Sequence, residues 1–260
     1  MRNELRLKLK RNEITFGVTL GIGAPEVSEA LGNLGLDWIN FDMQHTSLDT
    51  ETVQAMIQAL SYSKTVPIVR VISNDLGLIN RALDIGAHAV IVPLVNSSQD
   101  AERAVSSAMY PPKGVRSYGP RRPALRDPDY VNTANQEVMV IPQIETQQAL
   151  ENLEEILSTD GIDAAFVGPN DLSMSLGVFR KFDSPEFLRA VERFVSACEA
   201  HGVAPGLLAP AGPVERSVRQ GFKLISIGGD LGILASGVTD LLAKARSSTV
   251  GSEKRIPEKR

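Results

Sequence analysis

Hydrophobic residues along this chain fall into short, nearly continuous runs that alternate with stretches of helical periodicity. Runs of this kind, rich in Val, Ile and Leu, are typical of parallel strands that are buried on both faces. They predict eight strands, at 14–20, 36–42, 66–71, 88–94, 137–144, 163–167, 203–208 and 222–227.

Between these runs, apolar residues recur every three or four positions, which is the spacing of one helix face. One such stretch, 49–60, begins with Asp49, which suits an N-cap, and another, 185–201, is followed by Gly202, which suits a helix end. Further helices are predicted at 25–34, 146–157 and 231–245. Strands and helices that alternate in this way over 260 residues predict an α/β fold, a single-domain (β/α)8 TIM barrel.

Two segments depart from this alternation. The segment 110–135 is long, rich in Pro and Arg, and precedes the fifth strand. A loop of that length in a compact domain is usually functional or part of an interface. The segment 247–260 is polar and basic, so we expect a flexible tail after a barrel domain of residues 1–246.

Composition and charge exclude several classes of function. Hydrophobic residues make up 43% and charged residues 22%, as in a folded globular protein, and the net charge of −4 gives no general attraction to nucleic acid or to anionic lipid. A small arginine cluster, Arg121, Arg122 and Arg126, is expected to serve a loop or a subunit interface instead. No apolar run approaches the roughly 18 residues of a membrane span, and residues 1–10 have no signal-peptide core.

The chain contains a single cysteine, Cys198, and therefore forms no intrachain disulfide. This cysteine usage fits a reducing compartment, so we expect a cytoplasmic protein in which Cys198 is a buried structural thiol. Two of the three histidines, His88 and His201, are also expected to be structural, because they lie at the start of a strand and the end of a helix.

Polar residues that follow the strands are the candidates for chemistry, because a barrel of this type has its active site at the carboxyl ends of its strands. Glu145 and Asp171 follow the fifth and sixth strands. Carboxylates on adjacent strands, about 4.8 Å apart, repel one another unless a cation or a proton lies between them. Oxygen ligands with no Cys or His beside them suit Mg²⁺ or Mn²⁺, and also Co²⁺. The alternative is that Asp171 caps a helix and Glu145 pairs with an arginine.

Arg70 and His45 follow the third and second strands. An arginine that ends a buried strand needs an anionic partner, which is either a substrate oxygen or a structural carboxylate such as Asp42 or Asp84. The imidazole of His45 suits proton transfer near neutral pH, and Asp42 orients it if the loop turns back. The alternative for His45 is an ordinary polar surface position.

A short turn, 168–171, follows the sixth strand and leads into a helix. The backbone N–H groups of Gly168, Asn170 and Asp171 are placed to hold a carboxylate, whereas Pro169 has none. The alternative is a turn without a ligand. The glycine pair 228–229 is interpreted as a plain tight turn and not as a phosphate site, because no basic residue is near it in the sequence.

Seven short motifs occur along the chain in a recognisable order and spacing. They are FDMQH at 41–45, PIVR at 67–70, ALDIGA at 82–87, VPLV at 92–95, YPPKGVRS at 110–117, IPQIET at 141–146 and VGPNDLS at 167–173. On these motifs the chain resembles the HpcH/HpaI aldolase family, the metal-dependent class II pyruvate aldolases, from about residue 5 to about residue 245.

The resemblance implies roles for the candidate residues. Glu145 and Asp171 match the family's metal-binding carboxylates. Arg70 matches the arginine that steadies the enolate oxygen, and His45 matches the proposed base, with Asp42 as its partner.

The resemblance also implies a substrate site and an assembly. Gln143 matches a glutamine near the metal and the substrate, and Gly168, Asn170 and Asp171 match the turn whose amides bind the pyruvate carboxylate. Asp84 matches an acidic residue that the family presents to a neighbouring subunit's site. Members are usually homohexamers, trimers of dimers, in which the last helix packs on a neighbour.

Three positions depart from the family pattern. Gln44 stands where many members have Glu, which removes a negative charge. Asn170 stands where many have Ala, and Thr19 is small where some relatives have a bulky aromatic residue. We expect these changes to affect metal or substrate preference and to widen the pocket near Thr19.

The function expected from these features is divalent-metal-dependent, reversible aldol cleavage of a 4-hydroxy-2-oxo acid. The products are an aldehyde and pyruvate, or a close 2-oxo acid such as hydroxypyruvate, formed through a metal-stabilised enolate. The alternatives are oxaloacetate decarboxylation, carbon–carbon lysis of a CoA ester, and a non-catalytic barrel that binds oxo acids. A Schiff base is not expected, because Lys64 and Lys223 are the only lysines near predicted strands and neither lies at a strand's carboxyl end.

Overall fold

The structure, a computed structural model, describes residues 2–208 and 212–250 and contains a closed barrel of parallel strands. Each strand pairs with its sequence neighbours, and the first pairs with the last. The predicted (β/α)8 barrel is therefore confirmed, with each predicted strand present. The strands are β1 (Thr15–Leu20), β2 (Trp38–Asp42), β3 (Val66–Arg70), β4 (Ala89–Val92), β5 (Met139–Ile144), β6 (Ala164–Val167), β7 (Ala204–Leu207) and β8 (Leu224–Gly229).

Helices lie outside the barrel and connect its strands, apart from the first, which precedes β1, and the last, which follows β8. Asp49 caps one of them by accepting a hydrogen bond from the Thr52 amide at 2.8 Å, as predicted. The helices are α1 (Glu4–Lys10), α2 (Pro25–Gly32), α3 (Thr50–Ala59), α4 (Leu76–Asp84), α5 (Ser98–Ala108), α6 (Arg121–Arg126), α7 (Tyr130–Glu137), α8 (Gln147–Glu151), α9 (Leu153–Leu157), α10 (Pro169–Ser175), α11 (Pro185–Ala200), α12 (Val214–Arg219) and α13 (Asp230–Val250).

The alternation of side chains along the strands creates two apolar cores. One fills the barrel and includes Trp38 and Phe166, whose rings meet edge to face with centroids 5.8 Å apart. The other lies between the barrel and its helices. Gly17 is required beside Trp38, because a Cβ at that position would lie 2.1 Å from the indole ring. Each fully buried large apolar side chain contributes about 1.5–3 kcal/mol to folding.

Helix α1 closes the amino-terminal end of the barrel with two buried leucines, Leu5 and Leu9. It is anchored by side chains that reach distant strands. The Asn3 amide donates to the carbonyl oxygens of His88 at 3.1 Å and Glu137 at 2.9 Å. These contacts explain why a short helix rich in charge is stable at the start of the chain.

Three predicted boundaries differ from the structure. The segment 110–135 is not a structureless loop, because it contains α6 and most of α7, and it crosses the amino-terminal end of the barrel, opposite the predicted active site. The predicted helix 146–157 is two helices, which meet at Asn152. The last helix continues to Val250, so residues 247–250 of the predicted tail are helical. Residues 251–260 of that tail lie outside the described residues.

None of the helices in residues 2–208 and 212–250 combines the length and the apolar composition that crossing a membrane requires.

Candidate active site

A pocket of about 240 Å³ opens at the carboxyl ends of the strands. It brings together most of the side chains that the sequence singled out, from four different strand ends. Glycines and small side chains complete its wall. The lining residues are Thr19, His45, Arg70, Gln143, Gly168, Pro169, Asn170, Asp171, Leu208, Gly228 and Gly229.

The strands place these polar groups by alternation. Along β5, Met139 and Ile141 belong to the core inside the barrel, and the same face continues upward to Gln143 and then to Glu145. Because successive residues of a strand point to opposite faces, the inward face changes from apolar to polar toward its carboxyl end. The barrel core therefore ends where the polar floor of the pocket begins.

Arg70 and Asp42 form a buried bidentate ion pair in this floor. They are register partners on adjacent strands, and the Arg70 Nε and Nη2 atoms lie 2.9 and 2.5 Å from the two Asp42 carboxylate oxygens. The third nitrogen, Nη1, reaches Gln143 Oε1 only at 3.5 Å. Asp42 is thus the structural partner among the two that the sequence left open, and Arg70 still lines the pocket with donor capacity to spare.

Asp42 also shapes the loop that carries His45. Its Oδ1 atom accepts hydrogen bonds from the backbone amides of Gln44 at 3.0 Å and His45 at 3.3 Å, so the loop does turn back on Asp42. In the described structure these contacts reach the His45 backbone and not its imidazole. The ring is exposed at the rim of the pocket.

Glu145 is buried just below the pocket, with both carboxylate oxygens engaged. One accepts the backbone amide of Leu94 at 2.8 Å, and the other accepts the side-chain amide of Gln143. Burial raises the pKa of Glu145, the nearby charge of Asp171 raises it further, and the hydrogen bonds and Arg70 oppose the rise. Asp171 lies in the pocket wall at the start of α10 and is exposed.

The carboxylates of Glu145 and Asp171 are oxygen ligands of the kind that a hard divalent cation prefers. A cation between them would relieve the repulsion that raises the pKa of Glu145. Among residues 2–208 and 212–250, no group of three or more His, Cys, Asp or Glu side chains could hold a metal. Two carboxylates would leave the remaining positions of a cation to water and a chelating substrate, as Mg²⁺ sites commonly do.

The turn between β6 and α10 differs in two details from its prediction. Gly168, and not Asp171, occupies the N-cap position, so the capping alternative for Asp171 does not hold. The Gly168 amide donates to the Ile144 carbonyl at 3.3 Å, which leaves the amides of Asn170 and Asp171 as the free donors of the first helical turn.

Gly168 has a packing reason to be glycine. A Cβ there would lie 2.7 Å from Gln143 Nε2 and 2.8 Å from Glu145 Oε2. The absence of a side chain therefore allows the turn to approach the two polar groups of β5.

Leu94 is a site residue that sequence reasoning missed. Its φ of 53° is a left-handed conformation that a leucine adopts at a cost. The conformation directs its amide at Glu145, although the side chain itself is exposed. The only trace in the sequence was its place in the VPLV motif, which said nothing of its backbone.

Asp84 lies away from the pocket of its own chain. It ends α4 and accepts a hydrogen bond from Arg116 at 2.8 Å. The Arg116 guanidinium is fully buried between the rings of Tyr110, 4.5 Å from its centroid, and Tyr130, at 5.5 Å. Burial raises the pKa of Asp84 in spite of Arg116.

Residues expected to be structural are so placed. Cys198 is fully buried in α11, and burial raises the pKa of its thiol. The His201 Nε2 atom lies 2.5 Å from Glu154 Oε2 at the surface. Gln44, which departs from the family pattern, has a buried side-chain oxygen that meets no hydrogen-bond partner among the described residues.

Comparisons with known proteins agree with this architecture. A family model described as HpcH/HpaI aldolase/citrate lyase matches residues 19–236. A 5-keto-4-deoxy-D-glucarate aldolase of Enterobacter sp. (strain 638) is 34% identical over 243 residues, 92% of this chain and 95% of the relative. A 4-hydroxy-2-oxo-heptane-1,7-dioate aldolase of Salmonella paratyphi B is 34% identical over 261 residues, 98% of this chain and 97% of the relative.

A solved structure extends the likeness to three dimensions. An HpcH/HpaI aldolase/citrate lyase family protein from Burkholderia cenocepacia J2315 matches with a TM-score of 0.86 and 31% identity. The match covers 94% of this chain and 99% of that chain. The likeness thus includes nearly the whole barrel.

Proposed function

The chain belongs to the HpcH/HpaI aldolase/citrate lyase family, and from this premise we propose that it is a carbon–carbon lyase that reversibly cleaves a 4-hydroxy-2-oxo acid. The products are an aldehyde and pyruvate, or a close 2-oxo acid such as hydroxypyruvate. The observation that carries the proposal is a pocket at the carboxyl ends of the strands that is lined by Arg70 and Asp171, with Glu145 buried beneath it and within range of both their charges. Two aldolases at 34% identity over nearly the full chain support the same reaction class.

Glu145 and Asp171 would hold a divalent metal, Mg²⁺ or Mn²⁺, with Co²⁺ also suited to their oxygens. When bound, such a metal supplies Lewis-acid stabilisation of the charge that develops on the 2-oxo group. Gln143 holds Glu145 in place through its side-chain amide. The amides of Asn170 and Asp171 are oriented to receive the substrate carboxylate.

Arg70 stabilises the negative charge on the keto oxygen as the bond between carbons 3 and 4 breaks. Its Nη1 atom has only the 3.5 Å contact with Gln143, so it has N–H groups to offer to that oxygen. Asp42 keeps the guanidinium fixed, which makes the donor pre-organised. His45, at the rim, removes the proton of the 4-hydroxyl group in cleavage and returns it in synthesis.

Two pocket residues are proposed to define the aldehyde side. Thr19 is small and lies in the wall, which leaves room for a longer chain. Asn170 adds a side-chain donor and acceptor that suit a hydroxylated or carboxylated aldehyde. The names of the relatives, a deoxy-glucarate and a heptanedioate aldolase, concern substrates of that polar kind.

The chain is also proposed to form a homohexamer, a trimer of dimers, in which α13 packs on a neighbour. The helix is exposed along its described length and bears large apolar side chains that water would otherwise surround. These include Leu231 at 68%, Leu234 at 57% and Leu241 at 67% exposure. Light scattering of the purified protein measures the assembly directly, and a monomer would contradict it.

Asp84 is proposed to serve the site of a neighbouring copy, since it lies outside the pocket of its own chain. Mixing Asp84→Asn chains with His45→Ala chains before reassembly tests this. Recovery of activity in the mixture is expected, because some sites then contain both intact residues. Activity no greater than the sum of the two variants would contradict a shared site.

The proposed reaction is tested by pyruvate release from a panel of 4-hydroxy-2-oxo acids, followed with lactate dehydrogenase. Release is expected to stop with EDTA and to return with Mg²⁺ or Mn²⁺. Turnover that persists after full metal removal would contradict the metal-dependent mechanism. The ranking of the panel identifies the preferred aldehyde.

A second candidate is lysis of a CoA ester or decarboxylation of oxaloacetate on the same site, because the family model names citrate lyase beside aldolase. Retro-aldol turnover without CoA would count against the CoA version. Pyruvate binding with metal, but no turnover of any hydroxy-oxo acid, would favour a binding barrel. We also propose that the reaction takes place in the cytoplasm, which the single reduced cysteine fits.

A further inference from the structure

A second pocket, which we call the basal pocket, lies at the amino-terminal end of the barrel, opposite the candidate active site. Its volume is about 340 Å³. Its buried floor is formed by Thr65, Val66 and Pro67 at the start of β3, and His88 lines its wall just before β4. A volume of this size is at the lower end of the range of about 300–1,000 Å³ for small-molecule sites.

The rim of the basal pocket is positively charged. Lys64, Arg126 and Arg2 line it, and the only acidic residue in the described lining is Glu4. Glu4 lies 3.5 Å from Arg2, so the charges of those two residues offset each other. The described residues place no carboxylate within ion-pair distance of Lys64 or Arg126, whose Nη2 atom donates to the Ser61 carbonyl at 2.6 Å.

Buried polar atoms at and beside this pocket lack partners. The Nδ1 atom of His88 is buried and has no hydrogen-bond partner among the described residues. The same is true of Nε and Nη2 of Arg122, which lies, like Ile57 of the lining, next to Gly86. A polar atom that is buried without a partner destabilises the fold by about 1–3 kcal/mol, so a partner that paired with it would stabilise the protein.

The charge around His88 agrees with its surroundings. Burial, and then the charge of Arg126, lower the pKa of His88 to about 3, so the imidazole in the pocket wall is neutral. A neutral imidazole offers one N–H donor. An anion held by the surrounding cations accepts that hydrogen bond without any change of protonation.

We propose that the basal pocket binds a small polyvalent anion of the phosphate or carboxylate class. Lys64 and Arg126 pair with its charge, and the imidazole of His88 donates to it from the wall. The pocket is separate from the candidate active site, because it lies at the opposite end of β3 from Arg70. The arginine cluster that the sequence shows near 121–126 thus gains a role that the aldol chemistry does not use.

Equilibrium dialysis of the full chain against radiolabelled inorganic phosphate tests the proposal. Saturable binding of one phosphate per chain is expected. Lys64→Gln with Arg126→Gln should weaken that binding by about tenfold for each charge removed. Both residues are exposed, so the double variant is expected to fold, and circular dichroism checks that it does.

Two controls assign the site. Arg189→Gln removes an exposed arginine of α11, distant in the sequence from the pocket lining, and should leave phosphate binding unchanged. Arg70→Lys alters the candidate active site and should also leave it unchanged. Loss of binding in Arg70→Lys, with retention in the double variant, would place the phosphate at the other end of the barrel and overturn the proposal.

A second arm distinguishes the two ligand chemistries. Unlabelled citrate should displace the phosphate if the pocket accepts carboxylates, and a His88→Gln variant should weaken whichever anion binds. No saturable phosphate binding, together with no citrate binding by calorimetry, would overturn the proposal. Because none of these measurements uses turnover, they are independent of the proposed aldol reaction.

Discussion

Two Arg–Asp pairs, one at each end of the barrel, bury the arginine, and they differ in what faces its guanidinium. Arg70 at the carboxyl end is held by both oxygens of Asp42 and faces a cavity. Arg116 at the opposite end donates to Asp84 and to the Tyr130 hydroxyl and is enclosed by two aromatic rings. A ligand can therefore reach the guanidinium of Arg70, whereas that of Arg116 is closed off by its neighbours.

Backbone conformation distinguishes the two ends in the same way. At the amino-terminal end, left-handed positions that follow helices carry glycine, as at Gly86, Gly202 and Gly221, or asparagine, as at Asn12, which adopt this region at low cost. Near the candidate active site, Leu94 adopts the left-handed region with a side chain present. The cost of about 1–2 kcal/mol is accepted at the end where an amide must face Glu145.

The largest expected effect concerns the two carboxylates of the candidate active site, Glu145 and Asp171. Glu145→Ala or Asp171→Ala should abolish metal-restored pyruvate release, because one carboxylate alone binds a divalent cation weakly. The lactate-dehydrogenase assay across a range of Mg²⁺ and Mn²⁺ measures it. Glu155→Ala, at an exposed position of α9, is the matched control. Full activity in either site variant would remove the metal assignment.

The next largest effect concerns proton transfer at the rim. His45→Ala should slow aldol cleavage by about 10²–10⁴-fold, the usual contribution of a general base. Exchange of the pyruvate methyl protons, followed by NMR in deuterated water, should fall much less, because it involves no 4-hydroxyl group. Equal losses in the two reactions would show that His45 is not the hydroxyl base.

Arg70→Lys tests the open pair. Lysine keeps the charge opposite Asp42 but loses the bidentate geometry, so kcat should fall by about 10²–10³-fold, as on removal of an oxyanion donor. The melting temperature should change little. A large loss of stability with normal turnover of the folded fraction would show that the Arg70–Asp42 pair is structural, as the Arg116–Asp84 pair is expected to be.

Arg116→Lys tests the enclosed pair and has the smallest effect on turnover. Lysine cannot stack between Tyr110 and Tyr130 or bond the Tyr130 hydroxyl in the same geometry. We expect a loss of about 1–3 kcal/mol in the free energy of unfolding, measured with urea, and near-normal activity of the folded protein. A large fall in the kcat of the folded protein, with little change in the free energy of unfolding, would show that Arg116 acts on the reaction through Asp84.

Much of the fold was predictable because parallel strands are buried on both faces. The strands at 66–71 and 88–94 could be predicted from their own residues, because a strand that is buried on both faces is apolar almost throughout. The helices of the segment 110–135 could not be predicted in this way, because α6 and α7 are fixed by contacts that join the two ends of the segment. Tyr110 and Asn135 exchange hydrogen bonds at 2.7 and 2.9 Å, across 25 residues.

The sequence predicted which residues lie at the candidate site better than it predicted the contacts between them. The rule that strand ends meet located Arg70, Gln143 and Asp171 at one pocket. The sequence left the partner of Asp42 open between Arg70 and the His45 imidazole. The β2–β3 register, and not sequence spacing, gives its carboxylate to Arg70. Leu94 was missed because a leucine in the sequence gives no indication of a left-handed backbone conformation.

The anchoring of α1 has a consequence for the order of events during protein synthesis. This helix leaves the ribosome before the strands that it contacts, and Arg6 pairs with Asp163, which follows it by 157 residues. At 5–20 residues per second, roughly 8–30 s pass before that partner has been made. Leu5 and Leu9 have no barrel to enter during this interval. Completion of the later strands, and not the order of translation, therefore decides when the first residues of the chain acquire their structure.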